Sequence, residues 1–209
     1  MALSLTGCSS FPRGKSAGPD AAKPVGGKAI NLLQLRDNVK STRVALNRTT
    51  DALNRIPSAP NAQEAYATFS TELSTFKKLA ETTLRDSADV RNSGKVLFSQ
   101  WEQEAATIKN PDIRAIAEKR RSTLQAGYDA MVTPLLAARA DLTEIRNDLT
   151  DIQKVLALDP TPAGIAAVKK PIEQINSKAV ATVTSLDALA ANLDKIAADL
   201  PPPAVAPIK

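Results

Sequence analysis

From Ala29 to Leu200 the apolar residues recur three and four places apart, interrupted only at proline-bearing corners. That spacing draws one apolar stripe along each of four helices and leaves no period-two alternation for strands. The first stripe is Leu32, Leu35, Val39, Leu46, Leu53 and Ile56, with Thr42 and Thr49 filling two seam places. Pro57 and Pro60 end it, and Asn61 suits the cap of the next helix. The second stripe is Tyr66, Phe69, Leu73, Phe76, Ala80, Thr83, Ser87, Val90, Gly94, Leu97, Trp101 and Ile108, with Glu104 in one seam place. A helix of about 48 residues at that register is about 70 Å long. Asn110-Pro111-Asp112 interrupts it, because the residue before a proline is biased away from helix, whereas Pro111 itself suits a first turn.

The third stripe is Leu124, Tyr128, Met131, Leu135, Ala138, Leu142, Ile145, Leu149, Ile152 and Leu156. Pro134 lies inside it and is expected to kink the helix, since its ring opposes the carbonyl four residues back. A corner at residues 158–164 precedes the fourth stripe: Ile165, Val168, Ile172, Ile175, Ala179, Thr182, Leu186, Leu189, Leu193, Ile196 and Leu200. Pro171 is a second expected kink, Pro201-Pro202-Pro203 stops the helix, and residues 201–209 read as an extended tail. The expected fold is all-α, an elongated antiparallel four-helix bundle or folded coiled coil over residues 29–200. With 3% aromatics and 8 glycines in 209 residues, the ingredients of a sandwich or barrel are missing.

Composition also bounds the chemistry. The sequence has no histidine and a single cysteine, Cys8, which removes Ser-His-Asp and Cys-His catalysis, histidine metal sites, disulfides and cysteine-rich zinc sites. No Gly-rich phosphate loop or aspartate-rich calcium loop occurs, so no cofactor is expected. The net charge of +5 is uneven: residues 1–56 carry nine basic and three acidic groups, and the rest is nearly balanced. A nucleic-acid binder would show a basic stripe with stacking aromatics, and none is expected as a partner.

The run Leu5-Thr6-Gly7-Cys8 has the form of a bacterial lipobox, an aliphatic residue and two small ones before a cysteine. The thiolate is the nucleophile that takes up a diacylglycerol, and small residues before it let the peptide enter a signal peptidase. A second acyl chain on the new terminus makes the anchor stable, one chain binding only marginally. Only seven residues precede Cys8, with no Lys or Arg before Arg13, which predicts a true start upstream of Met1. Residues 9–28, rich in Pro, Gly, Ser and Ala, read as a flexible tether. Ser9 stands where enterobacterial lipoproteins retained at the inner membrane carry aspartate. The expected location is therefore the periplasmic face of the outer membrane, with the lipid anchor as the membrane contact.

The middle of the chain carries Leu97-Phe98-Ser-Gln-Trp101-Glu102-Gln-Glu104, then Ile108, Asn110 and Ile113-Arg114. Farther on come Leu124, Tyr128, Met131, Pro134-Leu135-Leu136, Leu142 and Leu149. This resembles an uncharacterised family of bacterial lipoproteins classed as a domain of unknown function, with a Leu-Phe-x-x-Trp-Glu-x-Glu segment. The likeness covers Val90 to Leu200 and, more weakly, the first helix. It implies an envelope lipoprotein with helical coiled-coil content; it brings no activity and no catalytic residues.

Four places merit weighing as sites. Trp101 reads either as an interaction hot spot or as a core anchor where helices one, two and three pack. Glu104 is placed to face Arg114 or Arg120 across the Pro111 corner, as an exposed ion pair or as a buried carboxylate with a raised pKa. Lys119, Arg120 and Arg121, following Glu118, read as a solvated face or as a contact for phosphate headgroups or an acidic partner. Arg36, Lys40, Arg43, Arg48 and Arg55 of helix one would lie near the membrane if Cys8 is lipidated. The expected function is a non-enzymatic, lipid-anchored scaffold or docking module that binds an envelope protein or itself. The alternative is a lipid- or amphiphile-binding, membrane-remodelling bundle that opens at Pro134 and Pro171.

Overall fold

The computed structural model describes residues 31–199, and these form five α-helices: α1 (Leu32–Arg55), α2 (Ala62–Thr107), α3 (Pro111–Leu158), α4 (Pro162–Ala167) and α5 (Lys169–Asp199). A 3-10 turn, Ile56–Ser58, closes α1. The first four helices start the same way, with a short polar side chain accepting from backbone N–H groups of the first turn. Asn31 accepts from Gln34, Asn61 from Gln63 and Glu64, Asn110 from Asp112 and Ile113, and Thr161 from Gly164.

The expected fourth helix is two helices. A continuous helix would press the Pro171 ring against the carbonyl of Ala167, and Pro171 has no N–H to give it. The chain turns instead at Val168 (φ −92°, ψ 3°), and Pro171 falls in the first turn of α5, where no donor is needed. Pro134 behaves differently: α3 continues through it as a single helix.

Bonds between neighbouring helices fix the topology. Asn38 reaches Asp86 and Thr42 meets Thr83, so α2 descends as α1 ascends. Arg36 meets Asp194, Arg43 meets Asp187 and Asn54 meets Asn176, so α5 is antiparallel to α1. Tyr66 with Gln153 and Tyr128 with Val90 set α2 against α3. Lys178 with Asp148, and Ser185 with Asp141, set α3 against α5. Each long helix touches two neighbours, and the diagonal pairs α1–α3 and α2–α5 do not approach. This is an up-down-up-down four-helix bundle with every adjacent pair antiparallel.

The core is the expected stripes brought together. All ten expected seam residues of α3, from Leu124 to Leu156, are buried. So are those of α1, including Thr42 and Thr49. Midway along, the seam turns polar: the buried hydroxyls of Thr42 and Thr83 bond at 2.8 Å. The Arg139 guanidinium reaches the Leu84 carbonyl and the Ser87 hydroxyl.

Candidate functional site

The helices of the bundle are unequal. α1 has 24 residues and α5 has 31, against 46 in α2 and 48 in α3. Stepping from the Asn38–Asp86 pair places the start of α1 level with residue 92 of α2. Stepping from Arg36–Asp194 places it level with the end of α5. Residues 93–127, the far ends of α2 and α3 with their connecting corner, therefore stand beyond the four-helix body as a two-helix arm. Fifteen α2 residues at the helical rise make it about 22 Å long.

The arm's base is locked by aromatic packing. Tyr128 donates to the Val90 carbonyl at 2.7 Å, and its ring meets Phe98 edge-on with centroids 5.5 Å apart. The ring lies so close over Gly94 that a Cβ there would fall inside it. The tip is closed by Arg114, whose guanidinium donates twice to the Ile108 carbonyl, at 2.9 and 2.6 Å. That carbonyl, at the C-terminal end of α2, has no helical partner of its own.

Within the arm the buried set departs from the expected stripe. From Phe69 to Gly94 the predicted seam of α2 is buried, with Tyr66 before it half-buried; beyond Gly94, Phe98 and Ala105 are buried, while Leu97, Trp101 and Ile108 are only half-buried. The reason is the missing neighbour. Phe98 and Ala105 face α3, whereas Leu97, Trp101 and Ile108 continue the side that α1 covers lower down. On α3, Ile113 and Ile116 are 55% and 70% exposed. They stand seven and four residues before Arg120, which donates to the carbonyl of Asp199 at the end of α5. So Ile113 and Ile116 prolong the side that α5 covers. The arm thus carries an apolar face built from both helices that the described residues cover only in part: Leu97, Trp101 and Ile108 are half-buried, and Ile113 and Ile116 are exposed.

The expected site residues are placed as follows. Trp101 is half-buried in the middle of the arm and packs against the core, as the anchor reading expected, but without helix one, because α1 begins below it. Glu104 is exposed and forms no ion pair among the described residues: Arg114 is committed to Ile108 and Arg120 to Asp199. Lys119, Arg120 and Arg121 do not act as one cluster. Lys119 is exposed, Arg120 reaches α5, and half-buried Arg121 bonds Gln125 at 2.8 Å and approaches Glu102 at 3.5 Å. The basic groups of α1 are largely spent on α5. Arg36 and Lys40 share Asp194, and Arg43 takes Asp187. The Arg36 bond, with help from Lys40, holds the Asp194 carboxyl below the usual carboxylate range. Asp148 and Glu144 together raise Lys178. Burial, with Asp129 beside it, pushes the Tyr128 hydroxyl up to about 12. Cys8, the tether at 9–28 and the tail at 201–209 lie outside the described residues.

Sequence reading missed Ile113 and Ile116. The signal was available: the second and third stripes are each longer than the first, so one end of their hairpin had to go unmatched. Among the described residues, two open grooves flank α1 and α2, one lined by Val44, Arg48, Glu72 and Leu79 and the other by Asn31, Gln34, Asp86 and Ser93. No cluster of metal-ligating side chains occurs among those residues, and none of their helices is long and apolar enough to cross a membrane.

A family described as "Protein of unknown function (DUF2959)" matches residues 31–200. The chain belongs to this family. The DUF2959 match covers the whole bundle and the arm, and bears out the expected membership of a family of unknown function. No curated protein and no solved structure matches the DUF2959 chain.

Proposed function

We propose that this protein is a non-enzymatic, lipid-anchored component of the bacterial envelope, at the periplasmic face of the outer membrane. Its four-helix body is the scaffold and its arm the docking module. The observation that carries the docking role is the arm's open face, with Ile113 and Ile116 exposed and Leu97 and Trp101 only half-covered by the rest of the described chain. Apolar surface left in a contiguous patch is the ordinary mark of an interaction site. Support for the anchor is the Leu5-Thr6-Gly7-Cys8 run. Geometry joins the two: Asn31 sits at the base of the arm, lining a groove with Val90 and Ser93, so an anchored chain enters the bundle on the arm's side. A fully extended tether of residues 9–28 reaches about 70 Å.

The test is lipid labelling in the native host from the native locus, upstream DNA included, comparing wild type with Cys8→Ala by radiolabelled palmitate uptake and membrane fractionation. Label and membrane retention that depend on Cys8 are expected. An unlabelled soluble protein would remove the anchor. The second reading, an amphiphile-binding bundle, draws on the helix break at Val168 beside Pro171, a place for α5 to swing. Vesicle binding that persists without residues 1–28 favours it; absence of such binding favours docking.

A further inference from the structure

We infer that the arm's open face binds the arm of a second copy of this chain, in an antiparallel two-fold pair that rebuilds a four-helix section. The inference rests on the arm being a docking surface and names its occupant.

Three observations point to a second copy. The first is the seam itself. The open face prolongs the stripes that α1 and α5 cover in the body, so the surface that fits it is another pair of helices with the same three-four spacing. A second arm supplies that pair.

The second is charge. In the tip half of the arm, residues 102–118, Glu102, Glu104, Asp112 and Glu118 outnumber Lys109 and Arg114, a net of −2. In the base half, residues 93–100 and 119–127, Lys95, Lys119, Arg120 and Arg121 stand with no acidic group, a net of +4. Laid antiparallel, each acidic tip meets a basic base; laid tip to tip, like charge faces like. Such complementarity fixes orientation more than it adds affinity.

The third is position. Trp101 lies midway between the arm's base and its corner, so a two-fold axis through the arm's centre brings the two Trp101 side chains together. Leu97 lies four residues toward the base from that centre, and Ile113, level with residues 105–106 of α2 when stepped from the Val90–Tyr128 bond, lies a comparable distance toward the tip on α3. The same axis sets α2 over α2, and therefore brings Leu97 of one copy into the layer that holds Ile113 of the other, across the diagonal of the rebuilt section. Each side chain is matched by its symmetry mate, as a closed two-fold interface requires.

The pair is weak in solution. An arm about 22 Å long and two helix diameters, about 20 Å, across offers about 450 Å² per copy. A stable interface uses about 800 Å² per partner. At about half that area the pair is expected to be weak, with a dissociation constant on the order of 10⁻⁴ M set as its working value. Anchoring both copies to one membrane raises their effective concentration enough to make such a pair prevail.

The experiment uses the 209-residue chain with Cys8→Ser, so that introduced cysteines are the only thiols. A mixture of Leu97→Cys and Ile113→Cys chains, treated with a short bismaleimide, is expected to cross-link several-fold more than a mixture of Ile113→Cys and Val180→Cys, the last an exposed site on α5. Sedimentation of the Cys8→Ser chain is expected to show concentration-dependent dimer, lost in Ile116→Glu, a change at an exposed site that leaves the fold intact. A chain that stays monomeric up to about 1 mM overturns the pairing, that being tenfold above the expected constant. So does equal cross-linking in the two mixtures. A monomer that binds phosphatidylglycerol vesicles through Ile116 gives the face to lipid, which overturns the pairing but leaves the arm a docking surface. A monomeric Ile116→Cys chain whose introduced thiol maleimide cannot reach shows the face covered by the chain's own ends, and overturns both.

Discussion

Gly94→Ala tests the packing at the arm's base by asking which of two opposed effects wins. Gly94 lies inside α2, where alanine is preferred to glycine by about 1 kcal/mol. Helix propensity alone therefore predicts a more stable protein. The Tyr128 ring forbids it. A Cβ at 94 falls within the ring, so Tyr128 must rotate or the helices must part. Overpacking of this kind costs about 1–3 kcal/mol. Moving the ring also gives up the 2.7 Å bond to the Val90 carbonyl, worth about 1 kcal/mol in a buried place, and the edge-on contact with Phe98, worth about 0.5–1.5. Against the propensity gain the net loss is about 2–4 kcal/mol, by the same magnitudes.

Urea unfolding followed by circular dichroism reads that difference directly. The decisive comparison is with Tyr128→Leu, which removes the ring. In that background Gly94→Ala becomes neutral or stabilising by about 1 kcal/mol, and the two changes couple by about 3 kcal/mol. A Gly94→Ala protein as stable as wild type refutes the reasoning, because propensity would then have gone unopposed and the close approach of Tyr128 would carry no weight.

Other outcomes follow from the same contacts. Thr42→Val alone strands the buried Thr83 hydroxyl and is expected to destabilise by about 1–2 kcal/mol, whereas Thr42→Val with Thr83→Val is neutral or stabilising; urea midpoints for the cycle decide it. Tyr128 ionises in the unfolded chain near pH 10 but at about 12 in the folded one, so its contribution is whole below pH 10 and is lost as pH rises toward 12, about 2 kcal/mol at most; Tyr128→Phe flattens that alkaline fall in melting temperature. Asp194 is held below its unfolded range by Arg36 and Lys40, so its contribution is present above that range and is lost as the pH falls through the lowered value. Asp194→Asn is expected to narrow the gap in melting temperature between neutral and acidic buffer.

The body of the fold was legible because one rule governs it. In α3 every residue from Leu124 to Leu156 that the spacing puts on the seam is buried, since α2 flanks it along that whole length and α5 along all but its first turn. The asparagine starts were legible for an equally local reason: a short side chain beside a helix N-terminus meets its free N–H groups. What spacing cannot say is how long a neighbour lasts. Trp101 and Ile108 obey the same rule as Phe69 and Leu73, yet only the latter pair is fully buried. The difference lies in α1, which ends its coverage at Leu32. Partners of long charged side chains were equally hidden. Arg114 and Arg120 found backbone carbonyls at helix ends instead of Glu104, because the last carbonyls of a helix have no partner within it. Such choices depend on where four helices stop, which no single stripe records.

The arm is also the part of the fold least able to stand alone. Its inner seam sets Gly94, Phe98 and Ala105 of α2 against Arg114, Ala117, Arg121 and Leu124 of α3, less apolar mass than the leucine layers of the body. Of the buried polar side-chain atoms that lack a hydrogen-bond partner among the described residues, Gln100 Oε1 and Arg121 Nε lie in the arm and Arg91 Nε at its base. Each such atom costs free energy in place. A lone two-helix hairpin of this length recovers little of that through packing, since helices this short draw their stability mainly from tertiary contact. Yet Ile113, Ile116, Leu97 and Trp101 are kept at spacings that would complete a core. A stripe of that kind stabilises the arm only when something apolar covers it. The same sequence that leaves the arm poor in internal contacts supplies the surface that makes external ones favourable, and this coupling is what suits it to docking.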